Sequence, residues 1–503
     1  MNKVMTKNAN IFTNSGIRNK VNQGLINPKD MQNIGYAIGA LLAAEFDDPC
    51  SILIASDTRT SSPWIQDALV KGLTYFGHDV FDAGIAPTPF VAKAIKDYTL
   101  NDNEEDYNAG SSGYSYAKAT AHKQAHVSVE ALAKSEGRRD FDDDFEEDNN
   151  EKMFILGIVV TASHNPAEYN GIKVLTEFGY LNTEMEEEIS HLFHEFCKNP
   201  NLLKDEEADE KGTIVPFDIT SFYETQIVDQ LDNAPYKNLK VILDCAHGAT
   251  AKIAERIFKA CGITTIAINN TQDGNLINKD SGCSKPELLL QAIKQHQADW
   301  GCAFDGDGDR VIIANNLGQI FDGDDILAVI AQHEAYKDNP VIVATIMSND
   351  GLQTYFASQR KKLIRTAVGE RNVIDALIAH QAYLGAEVCG HITMMDHAFC
   401  SDGIFAALMF FDTLASGNNI NLHPYKKLFQ EQATVPLSVK IDQKTINSMI
   451  AKVALSPEKG RIVIRPSNTE PILRIMVEHV DASAAKEILE SLKNECIKEL
   501  HAH

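Results

Sequence analysis

Three aspartates at alternating positions, in the run Asp305-Gly306-Asp307-Gly308-Asp309-Arg310, offer the clearest chemistry in this 503-residue chain. Carboxylates separated by glycines that allow a tight bend can turn toward one centre and supply the hard oxygen ligands that Mg2+ or Ca2+ takes. An EF-hand loop does not fit, because its sixth position, where glycine is required, is Arg310 and its twelfth is Asn316 rather than glutamate. A solvated acidic turn is the plain alternative. The strand-like runs 300–304 and 311–314 on either side weigh against it, since they put the turn at a strand end.

A second run, Val159-Val160-Thr161-Ala162-Ser163-His164-Asn165-Pro166, leaves an apolar strand for a loop. A serine beside a histidine at a strand end could be a hydrolase nucleophile, but the glycines of a G-x-S-x-G elbow are absent. Taken alone the pair is weak, since a histidine near a serine is more often structural. Asn170-Gly171-Ile172-Lys173 downstream strengthens it by bringing an ammonium to the same loop. The third run is Arg465-Pro466-Ser467-Asn468-Thr469-Glu470-Pro471, with Arg474 three residues beyond. Hydroxyls, turn amides and two guanidinium groups are the set that a dianionic phosphate needs. A capped turn with surface arginines would read the same way in isolation, so the combination carries the case.

These runs need elements to hold them. Short Val- and Ile-rich segments at 51–55, 154–160, 239–243, 311–314 and 341–346 predict buried strands, and residues 67–76, 183–197 and 251–260 carry apolar positions every three or four residues, as helices do. Strands alternating with helices predict α/β domains with mainly parallel sheets, whose ligands sit at the carboxyl ends of strands. One stretch breaks the rhythm. Residues 100–151 lose the apolar periodicity and end in an acidic run; positions 101–150 hold thirteen acids and five bases, a net of -8. Such a segment buries too little to offset its ordering entropy, which predicts a surface insertion. Softer boundaries follow residues 219–231, the turn at 315–318, and residues 418–424.

The whole-chain balance limits the partners. Lys and Arg total 46 against 70 Asp and Glu, a net charge of -24, which repels nucleic-acid backbones and anionic lipid. The nine cysteines are scattered and form no CxxC pair, so neither a disulfide framework nor a zinc site is expected and a reducing compartment is. The polar N-terminus, residues 1–14, lacks the apolar core of a signal peptide, and the longest apolar stretches, such as 36–46, fall short of a membrane span, so the chain is expected in the cytoplasm, without membrane or nucleic-acid partners.

In combination the runs resemble the α-D-phosphohexomutase superfamily, and most closely its phosphoglucosamine mutase branch. Residues 12–19 look like its N-terminal Gly-Ile-Arg loop, 161–166 its phosphoserine loop, 305–310 its metal loop, 385–391 its sugar loop and 465–471 its phosphate loop. The branch is suggested by Asp57-Thr58-Arg59, Asp244-Cys245-Ala246, Met347-Ser348-Asn349, Val368-Gly369-Glu370-Arg371 and Met476-Val477-Glu478. The resemblance implies three α/β domains with mainly parallel mixed sheets and a smaller C-terminal α+β domain around a central cleft. Their expected bounds are 1–216 (with the insertion at about 100–151), 217–315, 316–428 and 429–503.

The implied activity is the interconversion of glucosamine 6-phosphate and glucosamine 1-phosphate for amino-sugar and peptidoglycan precursors, through a phosphorylated Ser163 and a 1,6-bisphosphate. By the same resemblance Ser163, Asp305, Asp307 and Asp309 hold Mg2+. Arg18, His164, Lys173 and Arg310 surround the moving phosphoryl group, and His391 or Lys173 acts as general acid or base. Glu387 and Cys389 contact the sugar, and Arg465, Ser467, Asn468, Thr469 and Arg474 grip the distal phosphate. A hexose 1,6-bisphosphate would be the activator, and the enzyme a monomer or homodimer. Departures are visible. Thr13 and Asn19 stand where relatives carry glycine, as does Asn468, and Ala386 and Cys389 replace glycine and serine. They leave open a phosphomannomutase or phosphoglucomutase of the same superfamily, or a sugar-phosphate-binding protein with impaired turnover.

Overall fold

The computed structural model describes residues 9–13, 16–99, 154–200, 211–231, 238–416, 419–437, 441–452, 455–456, 459–467 and 471–502. The predicted insertion at 100–151 lies outside the described residues. Two compact units emerge, Met1–Phe321 with His391–Ser416, and Asp322–Gly390 with Gly417–His503.

The first unit begins with a seven-stranded mixed sheet. Its elements are β1 (Ile17–Lys20), α1 (Pro28–Glu45), β2 (Ser51–Ser56), α2 (Ser62–Thr74), β3 (Asp79–Ile85), α3 (Thr88–Thr99), β4 (Leu156–Val160), β5 (Tyr169–Thr176), β6 (Gly179–Tyr180), α4 (Thr183–Lys198) and β7 (Ile214–Pro216). Strand order is β1-β5-β4-β2-β3-β7, with β6 on β5. β2 runs parallel to β3 and β4, whereas β5 lies antiparallel to β4 and β1. β4 is buried along its whole length, which is why Leu-Gly-Ile-Val-Val reads as a continuous apolar run rather than an alternation. The predicted helix at 67–76 begins earlier, at Ser62, because Pro63 fits a first turn whose N–H needs no partner.

A five-stranded sheet follows. Its elements are α5 (Ile219–Leu231), β8 (Lys240–Asp244), α6 (Ile253–Ala260), β9 (Thr264–Ile268), α7 (Glu287–His296), β10 (Trp300–Phe304), β11 (Val311–Asn315) and β12 (Ile320–Phe321), ordered β12-β11-β10-β8-β9. β8, β9 and β10 are parallel, so the residues after β10, like those after β2 and β4, leave the carboxyl end of a parallel strand. From the stretch expected in a third domain, His391–Ser416 clusters with this unit.

In the second unit α8 (Gly323–Ile330), β13 (Val341–Thr345), α9 (Asp350–Ser358), β14 (Lys362–Thr366), α10 (Glu370–Ala379) and β15 (Leu384–Ala386) build another α/β layer, with β13 parallel to β14 and β15. In the first unit the chain continues through β16 (Ile392–Met394) and α11 (Gly403–Ser416). Phe410 and Phe411 of α11 meet Trp300 edge-on, with centroids 5.5 and 5.9 Å apart. The C-terminal part is α+β: β17 (Phe429–Pro436), α12 (Gln443–Ala451), β18 (Gly460–Pro466), β19 (Ile472–His479) and α13 (Ala482–Ala502), with an antiparallel sheet ordered β17-β19-β18. Ile446, Met449, Leu473, Ile475, Leu489 and Leu492 close its core. Among the described residues no helix is long and apolar enough to cross a membrane.

Candidate active site

Ser163 leaves β4 in a left-handed conformation, φ 49°, and is buried. A non-glycine residue held there is uncommon and persists only where its surroundings over-determine it. Here they do. The Thr161 hydroxyl accepts the Ser163 N–H at 2.8 Å and donates to Asp57 at 2.7 Å. The buried Arg59 guanidinium pairs with Asp57 at 2.9 Å and donates to the carbonyls of Ser163 (2.9 Å), Asn165 (2.8 Å), Pro166 (2.5 Å) and Tyr169 (2.9 Å). Asn278 adds donors to the Ser163 and Asn165 carbonyls, at 2.8 and 3.0 Å. The Ser163 and Asn165 carbonyls are thereby each held by two side chains, and the Ser163 hydroxyl is turned to Asp305 at 2.8 Å, with His164 Nδ1 at 3.3 Å.

Asp305, Asp307 and Asp309 are all buried, and one oxygen of each lies within 4.8 Å of the others. The bend between β10 and β11 needs both its glycines. Gly308 sits at φ 75°, and a Cβ on Gly306 would stand 2.6 Å from the Ser163 carbonyl. Asp307 Oδ2 accepts from Thr88 (2.6 Å) and Lys173 (2.7 Å), and Lys173 also pairs with Asp309. Asp307 Oδ1 is buried with no hydrogen-bond partner among the described residues. Burial first, and the charges of Asp309 and Asp307 after it, push Asp305 up to about 8. For Asp309 burial acts in the same sense, but Lys173, His391 and Arg310 outweigh it and hold the carboxyl well below its ordinary range. An orphaned buried carboxylate oxygen beside a carboxyl raised by burial and by like charge is what an oxygen-ligated divalent cation relieves, so these residues fit Mg2+.

The cationic side chains predicted around the site are in the same unit. Arg18, on β1 opposite Gly171, donates to Asn165 Oδ1 at 3.3 Å. Burial above all pulls its guanidinium below its ordinary value. The charge of Arg310 first, then burial and Arg18, pushes His164 well down, so its ring is neutral at pH 7. His391 Nε2 stands 2.9 Å from Arg310 Nε and 3.1 Å from Asp309 Oδ1. A single ring nitrogen faces both a donor and an acceptor, and the tautomer decides which of the two it meets. Thr88, Asn278, Asp57 and Arg59 were not expected as site residues; only Asp57 and Arg59 stood out at all, as marks of the branch.

Among the substrate-binding candidates of the second unit, Arg465 on β18 and Arg474 on β19 are a directly opposed cross-strand pair. Like charges so placed destabilise a sheet unless an anion joins them. Among the described residues the buried Arg465 Nε has no hydrogen-bond partner, and burial, then Arg474, lowers its pKa while Glu387 raises it. Both arginines line a cavity of about 240 Å3 with Gln432, Thr434 and Val463. Buried Glu387 accepts the Gly369 N–H at 2.8 Å, and Cys389 is exposed. Ser467 N–H donates to Ile472 at 2.8 Å; Asn468 and Thr469 lie outside the described residues.

Comparison with known proteins agrees in all four parts. Residues 9–103 and 149–198 match phosphoglucomutase/phosphomannomutase alpha/beta/alpha domain I, 220–318 domain II, 322–432 domain III and 444–495 the C-terminal domain. A phosphoglucosamine mutase of Caldicellulosiruptor bescii is 30% identical over 496 residues, covering 96% of this chain and 97% of its own. One from Pseudomonas syringae pv. tomato is 31% identical over 492 residues, covering 96% and 97%. A phosphoglucomutase/phosphomannomutase family structure from Burkholderia thailandensis superposes with TM-score 0.74 at 22% identity, covering 98% of both chains. An Aspergillus fumigatus N-acetylphosphoglucosamine mutase, solved with GlcNAc-6P and magnesium, superposes with TM-score 0.54 at 17% identity, over 68% of this chain and 88% of that one. With four domains matched in order and relatives covered almost end to end, the chain belongs to the phosphoglucomutase/phosphomannomutase family and is a phosphohexomutase, an isomerase.

Proposed function

We propose that the protein is a cytoplasmic phosphoglucosamine mutase that interconverts glucosamine 6-phosphate and glucosamine 1-phosphate through a phosphorylated Ser163. The observation that carries the reading is the Ser163 hydroxyl 2.8 Å from Asp305, inside the three-carboxylate cluster. The names of relatives at about 30% identity support the amino-sugar substrate, and nine free cysteines suit a reducing compartment.

In the forward direction the Oγ–P bond of phosphorylated Ser163 breaks and an O–P bond forms at the free hydroxyl of the hexose phosphate. That hydroxyl gives its proton to His391, and Ser163 takes one up. The 1,6-bisphosphate then returns its other phosphoryl group to Ser163, so no water is consumed. Phosphoryl transfer is mainly positioning and charge stabilisation. Lys173, Arg18 and Arg310 supply the fixed positive charge, and neutral His164 donates a hydrogen bond. Asp305, Asp307 and Asp309, together with a phosphoserine oxygen, would hold Mg2+, whose charge would further neutralise the oxygens of the moving group. Glu387 holds sugar hydroxyls with Cys389 beside them. Arg465 and Arg474 bind the distal phosphate, with Ser467, Asn468 and Thr469. A hexose 1,6-bisphosphate recharges any Ser163 that has lost its phosphoryl group.

Intact-mass measurement before and after incubation with glucose 1,6-bisphosphate tests this reading. A phosphorylated fraction is expected in the wild type and none in Ser163→Ala, together with loss of mutase turnover. Full turnover by Ser163→Ala defeats it. Side-by-side rates with glucosamine, glucose and mannose 1-phosphates test the substrate, and the first is expected to be fastest.

A further inference from the structure

A second buried polar cluster in the first unit has no part in the chemistry above. The Tyr223 hydroxyl, on α5, donates to Asp402 Oδ2, and His397 Nε2 lies 3.0 Å from the same oxygen. Asp402 Oδ1 accepts the Phe405 N–H at 3.0 Å, within the first turn of α11. All three side chains are buried. Burial holds His397 below its ordinary value and neutral. With a carboxylate facing Nε2, the proton belongs on that nitrogen. Nδ1 is then a lone pair, and it has no hydrogen-bond partner among the described residues. The rings are fixed from the side, Tyr223 stacked on Phe90 at 3.6 Å and His397 on Phe405 at 3.7 Å.

A buried charge with a half-satisfied imidazole is costly, and such clusters persist where they specify one arrangement over others. What this one can specify is the segment 391–402. The segment folds back on itself: Thr393 bridges Ser401, with hydroxyls 2.9 Å apart, and Asp402 N–H donates to Ile392 at 3.2 Å. Its two ends rest on the metal loop. His391 bridges Arg310, and Gly403 N–H donates to the Gly308 carbonyl at 3.1 Å. Lys96 of α3 holds the middle through the Met395 and Asp396 carbonyls, both at 2.7 Å.

We propose that Asp402, gripped by Tyr223 and His397, is a positioning residue that sets the His391 ring between Asp309 and Arg310. Loosening the grip lets the hairpin shift against the metal loop, and His391 moves with it. The consequence for turnover rests on the reading of His391 as the proton carrier; the placement of the ring does not.

Tyr223→Phe keeps the stack on Phe90 and removes only the hydroxyl, and Asp402→Asn keeps the shape and removes the charge. In histidine-15N-labelled protein, both are expected to move the His391 ring resonances. Both should also lower kcat between about tenfold and a hundredfold, with KM for the hexose phosphate within about twofold of wild type. A merely structural role would lower the melting temperature and leave those resonances in place. Unmoved His391 resonances in Tyr223→Phe overturn the proposal; moved resonances with wild-type kcat support the anchor and remove His391 as the proton carrier. Tyr223→Phe decides alone if Asp402→Asn does not fold. Moved resonances in a protein whose wild type has no mutase activity would defeat the mutase reading and leave the anchor standing.

Discussion

The guanidinium of Arg59 donates to Asp57 and to four carbonyls of the Ser163 loop, all without reaching the hydroxyl proposed to carry the phosphoryl group. Lysine carries the same charge but only three donors, on a point rather than a planar fork. Arg59→Lys therefore leaves carbonyls of a left-handed turn unpaired in the interior. We expect a loss of about 2 to 4 kcal/mol in chemical denaturation, and kcat down about a hundredfold with KM near wild type. A kcat within twofold of wild type would remove Arg59 from the positioning of Ser163. The convergence of Asp305, Asp307 and Asp309 was legible because alternating carboxylates across a glycine bend meet by spacing alone. Arg59 was not, since 104 residues separate it from Ser163 and only the sheet brings them together. Asp324 was equally hidden. Burial, then Asp322, raises its carboxyl to about 7, so the stability it contributes is complete below about 3.8 and lost as pH rises through about 7. Asp324→Asn still accepts the Asn349 N–H, made at 2.7 Å in the native protein. The variant should match wild type near pH 4 and be more stable by about 4 kcal/mol at pH 8, a divergence that denaturation at the two pH values reads directly.

Elements explain which parts of the fold could be anticipated. Short Val- and Ile-rich runs followed by loops of small and polar residues announced parallel strands with functional carboxyl ends. The loops after β2, β4 and β10 do carry Arg59, Ser163 and the aspartates. Helix α3 was less legible. Its amphipathic pattern is ordinary, yet its first residue, Thr88, donates to Asp307 across 219 residues of chain, and Lys96 near its other end holds the Met395 and Asp396 carbonyls. One rigid helix thus sets both the metal loop and the segment after His391, a role that no local pattern encodes. Thr88→Val keeps the volume and removes the donor, leaving Lys173 alone to hold Asp307 Oδ2. Partners of this kind orient metal ligands, and their loss typically costs ten- to a hundredfold in affinity. Calorimetric titration with Mg2+ should show a dissociation constant raised about tenfold or more, with the fold unchanged by circular dichroism. An unaltered constant would reduce Thr88 to packing.

At the scale of the whole molecule, the protein carries a net charge of -24 while its substrate is a phosphate dianion. Long-range repulsion opposes encounter, and the cationic side chains near Ser163 must reverse it locally. Residues 101–150 supply thirteen acids and five bases, or -8, one third of the total, and the family match leaves out 104–148. Positions 104–148 hold twelve of those acids and all five bases, so replacing them with a short neutral linker takes the chain from -24 to -17 and removes no residue assigned to the reaction. If the segment acts through its charge, the shortened protein gains in kcat/KM only where screening is weak. At an ionic strength near 0.01 M, where the Debye length is about 30 Å, kcat/KM should rise by about twofold, with kcat unchanged. At 0.5 M the two proteins should coincide, because screening then removes the long-range field and leaves the contacts at Ser163. A ratio independent of salt would mean that the segment acts by contact or not at all, and a fall in kcat at every salt concentration would place it in the catalytic cycle itself.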